Sequence, residues 1–459
     1  MTTLTPNRTP TTRTPRWLRT VLSLLVLSSL VYGLPGLARA YTLTPVPTLV
    51  LGQPDFTTYQ GGSGPTGMSL PMAVAVDPTT GKVFVADYNN NRVLRFAAGA
   101  ALTNGAAAEA VLGQPDFTST GGSYSTQSGF LSPSSVHVDG SGRLWVADTN
   151  NYRVLRFDNA STKASGANAD GVLGQPDLTT RLNSFSPTQN TFTPNDVYVD
   201  GSGRLWVTDW QNSRVLRFDN AATKANGADA DGVLGKPDFT SPYQPVTNPA
   251  TFIGDAEGIY VDGSGRLWVV DAGNNRVLRF DNAATKANGA AADGVLGQPD
   301  LNFHQWNLSD PLPQPMHVTG DSTGRVFITT TSKGIHIFDN AAAKPNGAAA
   351  DVTLDVGYGT AFYDPAADVL WFEDRGHNRV LRLGVPSNLP SAPVISTPAA
   401  GAVITNPRPV ITGTGEISAT ITVTEGATSI CTAVVAADST WTCTPGADLS
   451  LGAHTVSAT

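Results

Sequence analysis

Five residues in the middle of the chain could do chemistry together. Asn195, Asp196, Asp255, Glu257 and His317 stand near the starts of successive strands in a repeated array. Oxygen donors joined by one imidazole can hold a divalent cation, which would polarise a carbonyl or activate water. Asp196, Asp255, Glu257 and His317 are therefore the candidate metal ligands, and a hydrated channel mouth is the competing reading. Zinc is disfavoured, because it takes several N or S ligands and only His317 is at hand. No Ser-His-Asp order, nucleophile elbow or phosphate loop accompanies the group.

What must position these residues is a repeat. The stretch Asp139 to Phe157, DGSGRLWVADTNNYRVLRF, returns at Asp77–Phe96, Asp200–Phe218 and Asp262–Phe280, and more weakly at Asp321–Phe338 and Asp364–Leu383. A second segment, VLGQPDF or a close variant, begins at Val50, Val111, Val172, Val233 and Val295, a spacing of 61, 61, 61 and 62. One period holds four short strands: A (Ser135–Asp139), B (Arg143–Ala147), C (Arg153–Phe157) and D (Gly171–Leu178). Strand B is apolar on both faces, so its sheet must be covered on both sides. Four such strands in six copies predict an all-β fold, a six-bladed β-propeller over residues 46–385. The first strand, Thr48–Phe56, is of type D, and the sixth unit ends on a C strand, Arg379–Leu383. The N-terminal strand is therefore expected to complete the last blade and close the ring.

The run V-D-G-S-G-R-L-W-V-A-D-x-x-N-x-R-V-L-R-F resembles the NHL repeat, over roughly Thr48 to Gly384. The resemblance implies a propeller of this strand order used mostly as a binding platform. It also implies an alternative, because some six-bladed propellers are metal-dependent lactone hydrolases with Glu, Asn and Asp around a divalent ion in the channel. Here that reading rests on Glu257, Asp196 and Asn195. NHL-like amidating lyases, which use a zinc held by several His, fit less well, since one His stands at the proposed mouth.

Two kinds of polar or aromatic position recur with different meanings. Asp148 and Arg153 flank the B–C loop, as do Asp87/Arg92, Asp209/Arg214, Asp271/Arg276 and Asp374/Arg379. Identical placement in unit after unit reads as a cross-strand ion pair fixing each hairpin, at a few tenths to about 1 kcal/mol. The D–A loops, by contrast, share little sequence and carry aromatics. They emerge with the B–C loops on one face, where Tyr88, Trp210, Tyr243 and Trp306 are the candidate ligand-binding residues. The expected partner is an extracellular protein or glycan, with no cofactor beyond the divalent cation considered above.

The address follows from composition. Arg8, Arg13, Arg16 and Arg19 precede the apolar run Val21 to Val31, and Ala38-Arg39-Ala40 ends a secretory signal peptide over residues 1–40. Removing it, with Arg39, changes the net charge from −8 to −8 − 5 = −13. So acidic a chain is not expected to bind nucleic acid, nor to insert into a membrane after cleavage. A secreted or cell-surface protein is expected. Residues 386–393 (PSNLPSAP) read as a linker. Residues 394–459 resemble a bacterial immunoglobulin-like domain, shorter than such a β-sandwich usually is, and hence a partial one. Around a turn centred on Ala437, Cys431 and Cys443 are expected opposite each other on a hairpin, within disulfide reach.

Overall fold

The computed structural model describes residues 41–458, apart from 125, 183–187, 242–252, 303–311, 333, 386–392, 400, 416–418 and 427. They divide into two compact units, one reaching Leu389 and the other beginning at Pro390. Among the described residues no helix is long and apolar enough to cross a membrane.

The large unit is a β-propeller in which six sheets each carry an antiparallel A-B-C-D set. In sheet two these strands are Pro133–Val138, Leu144–Asp148, Arg153–Phe157 and Gly171–Leu173. Strand D ends at Leu173, earlier than its apolar pattern suggests. Gly174 turns the chain there with φ +89°, and a Cβ on it would lie 2.8 Å from the Tyr152 carbonyl. Strand B is buried on both faces. Leu144 and Val146 pack with Phe84 and Ala86 of sheet one, while Trp145 and Ala147 pack with Val197 and Leu205 of sheet three. Each fully buried side chain of this kind contributes about 1.5–3 kcal/mol, so the contacts between sheets hold the unit together.

The A strands are neighbours from sheet to sheet, and Gly359–Asp364 of sheet six lies against Pro71–Val76 of sheet one. Pro47–Leu51 supplies the D strand of sheet six, pairing antiparallel with Arg379–Gly384 so that Val50 faces Leu381. Side chains repeat the junction found elsewhere. Gln53 Nε2 donates to the Asn378 carbonyl at 3.1 Å, as Gln114 does to Asn91 at 3.1 Å. Tyr41–Leu43 adds a strand that the repeat did not announce, running parallel to Val352–Leu354 on the edge of sheet five. The N-terminal segment thus lies along two neighbouring sheets.

The recurrent Asp/Arg pairs occupy the expected register, but they are interior rather than surface pairs. Arg153 Nε lies 2.7 Å from Asp148 Oδ2 with both side chains fully buried, and Arg92/Asp87, Arg214/Asp209 and Arg276/Asp271 repeat this. Removing one partner would therefore strand a buried charge at a cost of about 3–5 kcal/mol, well above the surface figure.

The C-terminal unit has two three-stranded sheets. One is built of Val394–Thr397, Ile411–Thr414 and Thr440–Cys443, the other of Thr428–Val434, Thr420–Glu425 and Val456–Ala458. Ile411, Ile421, Val423, Val435 and Trp441 fill the space between them. Cys431 and Cys443 are joined, with Cα atoms 5.9 Å apart. The expected hairpin is not there. Cys431 pairs in register with Val423 and Cys443 with Ile411, so the disulfide ties one sheet to the other. Thr428–Val434 finds its partner in the strand before it, and the chain after the turn crosses to the second sheet.

Candidate functional site

Each A strand of the propeller starts on the face where the D–A and B–C loops emerge. In sheets one to five a shift of register follows the first paired residue, at Pro71, Pro133, Pro194, Ala256 and Pro315. The two residues after that point face the axial cavity in one sheet after another: Met72/Ala73, Ser134/Ser135, Asn195/Asp196, Glu257/Gly258 and Met316/His317. Asp196, Glu257 and His317 thus come to the channel mouth.

Asp255 does not. Its sheet begins at Ala256, the equivalent of Pro194, so Asp255 lies one residue short of the strand and is exposed. Its carbonyl accepts the Ala272 N–H at 2.9 Å and its carboxylate sits beside Gly273 of the B–C loop.

The acids at the mouth already have protein partners. Asp196 Oδ1 accepts the Ser135 hydroxyl at 2.5 Å, and Oδ2 accepts the Ile259 N–H at 2.8 Å. Oδ2 also lies 3.3 Å from His317 Nε2. Burial works against the Asp196 charge, but His317 and these donors outweigh it and hold the carboxyl below its ordinary value. Burial likewise opposes charge on His317, and the neighbouring Asp196 nevertheless raises its pKa. Glu257 Oε2 accepts the Asn195 amide at 2.8 Å, and burial pushes its carboxyl up. Among the described residues no three His, Cys, Asp or Glu side chains gather closely enough to hold a metal ion. With Asp255 off the mouth, the four expected ligands are not gathered at one point. The donors are paired with one another in a hydrogen-bonded brace.

Sheet six contributes what sequence reasoning missed. Thr360, Glu373 and Arg375 line the same two adjoining cavities, each enclosing about 30 Å³. That is room for a few water molecules and far less than a substrate pocket of some 300 Å³ or more. A signal was present: the residue before the hairpin Asp (Thr330 in sheet five) is Ala86, Ala147, Thr208, Val270 and Thr329 in the other sheets and Glu373 in this one. Glu373 is the one charged member of that column.

Around the mouth, the loop face carries the exposed apolar groups. Among the described residues of the large unit, Phe56, Tyr59 (56% exposed), Tyr124 (68%), Leu182, Trp210 (39%) and Tyr358 (44%) belong to it. Leu43 and Val46 of the N-terminal segment are the other large exposed apolar side chains there. Tyr88 is half-buried, and Tyr243 and Trp306 lie outside the described residues. The Arg181 guanidinium sits 5.4 Å from the Tyr124 ring centre and 4.7 Å from that of Tyr152. Its Nε and Nη2 donate to the Asn150 carbonyl at 3.0 and 2.9 Å, which fixes the stack. The buried pair supports this loop from below. Arg153 Nη2 donates to the Thr126 and Gly129 carbonyls at 3.0 and 2.9 Å, in the same loop as Tyr124. On the opposite face the C–D loops repeat one ion pair, Lys163–Asp170, Lys224–Asp231 and Lys286–Asp293 at 2.7, 2.9 and 2.9 Å.

The NHL repeat family matches residues 69–96 and 130–157, which span the A, B and C strands of sheets one and two. Sheets one and two of the propeller thus each carry an NHL repeat. No curated protein matches the chain in sequence. Among solved structures, a gluconolactonase from Xanthomonas campestris aligns at 16% identity and a TM-score of 0.41, over 71% of this chain and 87% of that one. A streptogramin B lyase aligns at 13% and 0.38, covering 69% and 94%. A nidogen/laminin complex aligns at 15% and 0.39, covering 64% and 88%. Likeness at this level transfers no activity to the chain.

Proposed function

We propose that this chain is an exported, non-catalytic binding protein: a signal peptide over residues 1–40, a six-bladed NHL propeller over 46–385, a linker over 386–393 and an immunoglobulin-like spacer over 394–459. The propeller presents its irregular loop face to an extracellular protein or glycan. The observation behind this reading is the segregation of exposed aromatics onto that face, with Tyr59, Tyr124, Trp210 and Tyr358 over loops pinned by buried arginines. Rigid, exposed Tyr and Trp beside a stacked Arg are the residue types that dominate recognition surfaces, because they bring large contact area with little loss of side-chain freedom. The alternative, a lactonase-like hydrolase, needs ligands converging on one point, whereas Asp196 already serves His317, Ser135 and Ile259.

The test is a panel of immobilised glycans and extracellular-matrix proteins probed with the wild type, with Tyr124→Ala/Trp210→Ala, and with Lys163→Ala on the opposite face. The expected result is binding lost about tenfold or more in the first variant and kept in the second. Equal loss in both, or none in either, would count against the loop face.

A further inference from the structure

Thr360 has one hydroxyl hydrogen and two acceptors within reach. Its Oγ1 lies 2.9 Å from the Met72 carbonyl of sheet one and 2.6 Å from Glu373 Oε2 of its own sheet. With Glu373 ionised, one of these two contacts would be oxygen against oxygen with no hydrogen between. A proton on Glu373 resolves both: Oε2–H donates to Thr360, and Thr360 donates to Met72. The distance of 2.6 Å suits an O–H···O bond with an acid as the donor. We propose that Glu373 keeps a proton in the folded protein, and that this proton latches sheet six to sheet one through Thr360 and Met72, so that closure of the ring loosens when Glu373 ionises.

The surroundings agree. Glu373 is 1% exposed and its Oε1 has no partner among the described residues. Burial, reduced in effect by the Thr360 bond and by His317 and Arg375, pushes its carboxyl up to about 7. The charged groups facing the channel are Asp196 of sheet three, Glu257 of sheet four, His317 of sheet five and Arg375 of sheet six. His137 of sheet two also faces it, but burial drives its pKa down to about 4, so it is neutral near pH 7. Sheet one offers Met72, Ala73 and Val74, none of them charged. Arg375 Nη2 adds contacts of 3.3 Å to both the Met72 carbonyl and Thr360 Oγ1, so the junction has a fixed donor beside the titrating one.

The direction of the pH effect follows. An acid whose folded pKa lies above its unfolded one binds more protons folded than unfolded between the two values. Stability therefore falls as pH rises from the ordinary 4.5 through about 7. His317 acts in the same direction, its contribution being lost as pH rises beyond the ordinary 6.5. Asp196, held low, acts only at the acid end, where its contribution is lost as pH falls below 3.8.

The experiment is melting of the full chain from about pH 5 to about pH 8.5, comparing wild type with Glu373→Gln, whose amide still donates to Thr360 but cannot ionise. The wild-type propeller should melt progressively lower as pH rises. The variant should show a shallower slope, what remains coming from groups such as His317 and Glu257, and should match or exceed the wild type at the alkaline end. Calorimetry at about pH 6 in two buffers of different ionisation enthalpy should show about one proton fewer released on unfolding the variant. Equal slopes with equal proton release would overturn the proposal. If the variant does not fold, a carboxyl-carbon NMR titration of the wild type decides. Titration of Glu373 near neutrality supports the latch, and titration at its ordinary value overturns it.

Discussion

Asp196 Oδ2 and His317 Nε2 stand 3.3 Å apart although they belong to sheets three and five, which are not neighbours. The pair is braced by Ser135 of sheet two and the Ile259 N–H of sheet four. An acid used in this way ties four sheets together. It has little freedom left to bind a cation, and the channel it crosses has room for water rather than for substrate.

The seam between the ends of the large unit is the first place to test. Deleting Tyr41 to Phe56 removes the D strand of sheet six and the added strand of sheet five, exposing two edges. The truncated protein is expected to melt lower and to aggregate. Deleting Tyr41–Leu43 alone should have a smaller effect, because sheet five keeps its own four strands. Melting unchanged by the longer deletion would show that the seam does not depend on this segment.

The buried pairs give a second test, in which two copies of one motif should differ. Arg153→Met leaves Asp148 buried without its countercharge and releases three loop carbonyls, so a loss of about 3–5 kcal/mol is expected from urea unfolding. Arg379→Met should cost less, because Arg379 is 14% exposed and water can reach the pair. Equal losses at the two sites would mean that burial is not what sets the cost.

Much of this was legible because the chain repeats. The two-faced apolar B strand and the D-first phase led to the antiparallel sheets and to Pro47–Leu51 as the completing strand. Tyr41–Leu43 was not legible, since three residues outside any period carry no pattern to read. Asp255 was misplaced for a similar reason: sheet four lacks the proline that marks the start of strand A in sheets one, two, three and five, so Asp255 and Glu257 looked equivalent. Glu373 was overlooked because its unit is one of the two weaker copies of the repeat. The hairpin drawn for Cys431 and Cys443 came from turn symmetry alone, which is blind to the competing strand Thr420–Glu425. Local spacing fixes which residues can meet, and pairing with a third strand decides whether they do.

Whether the channel binds a metal is the most direct test of a binding rather than a catalytic role. The measurement is the melting temperature of EDTA-stripped protein before and after Ca²⁺, Mn²⁺ or Zn²⁺, since an ion that binds only the folded state must raise it. With Asp255 away from the mouth and Asp196 held by His317, Ser135 and Ile259, the account predicts no shift with any of the three ions. A rise in the wild type that disappears in Glu257→Gln would contradict it, and would place a metal-dependent hydrolase in the channel instead.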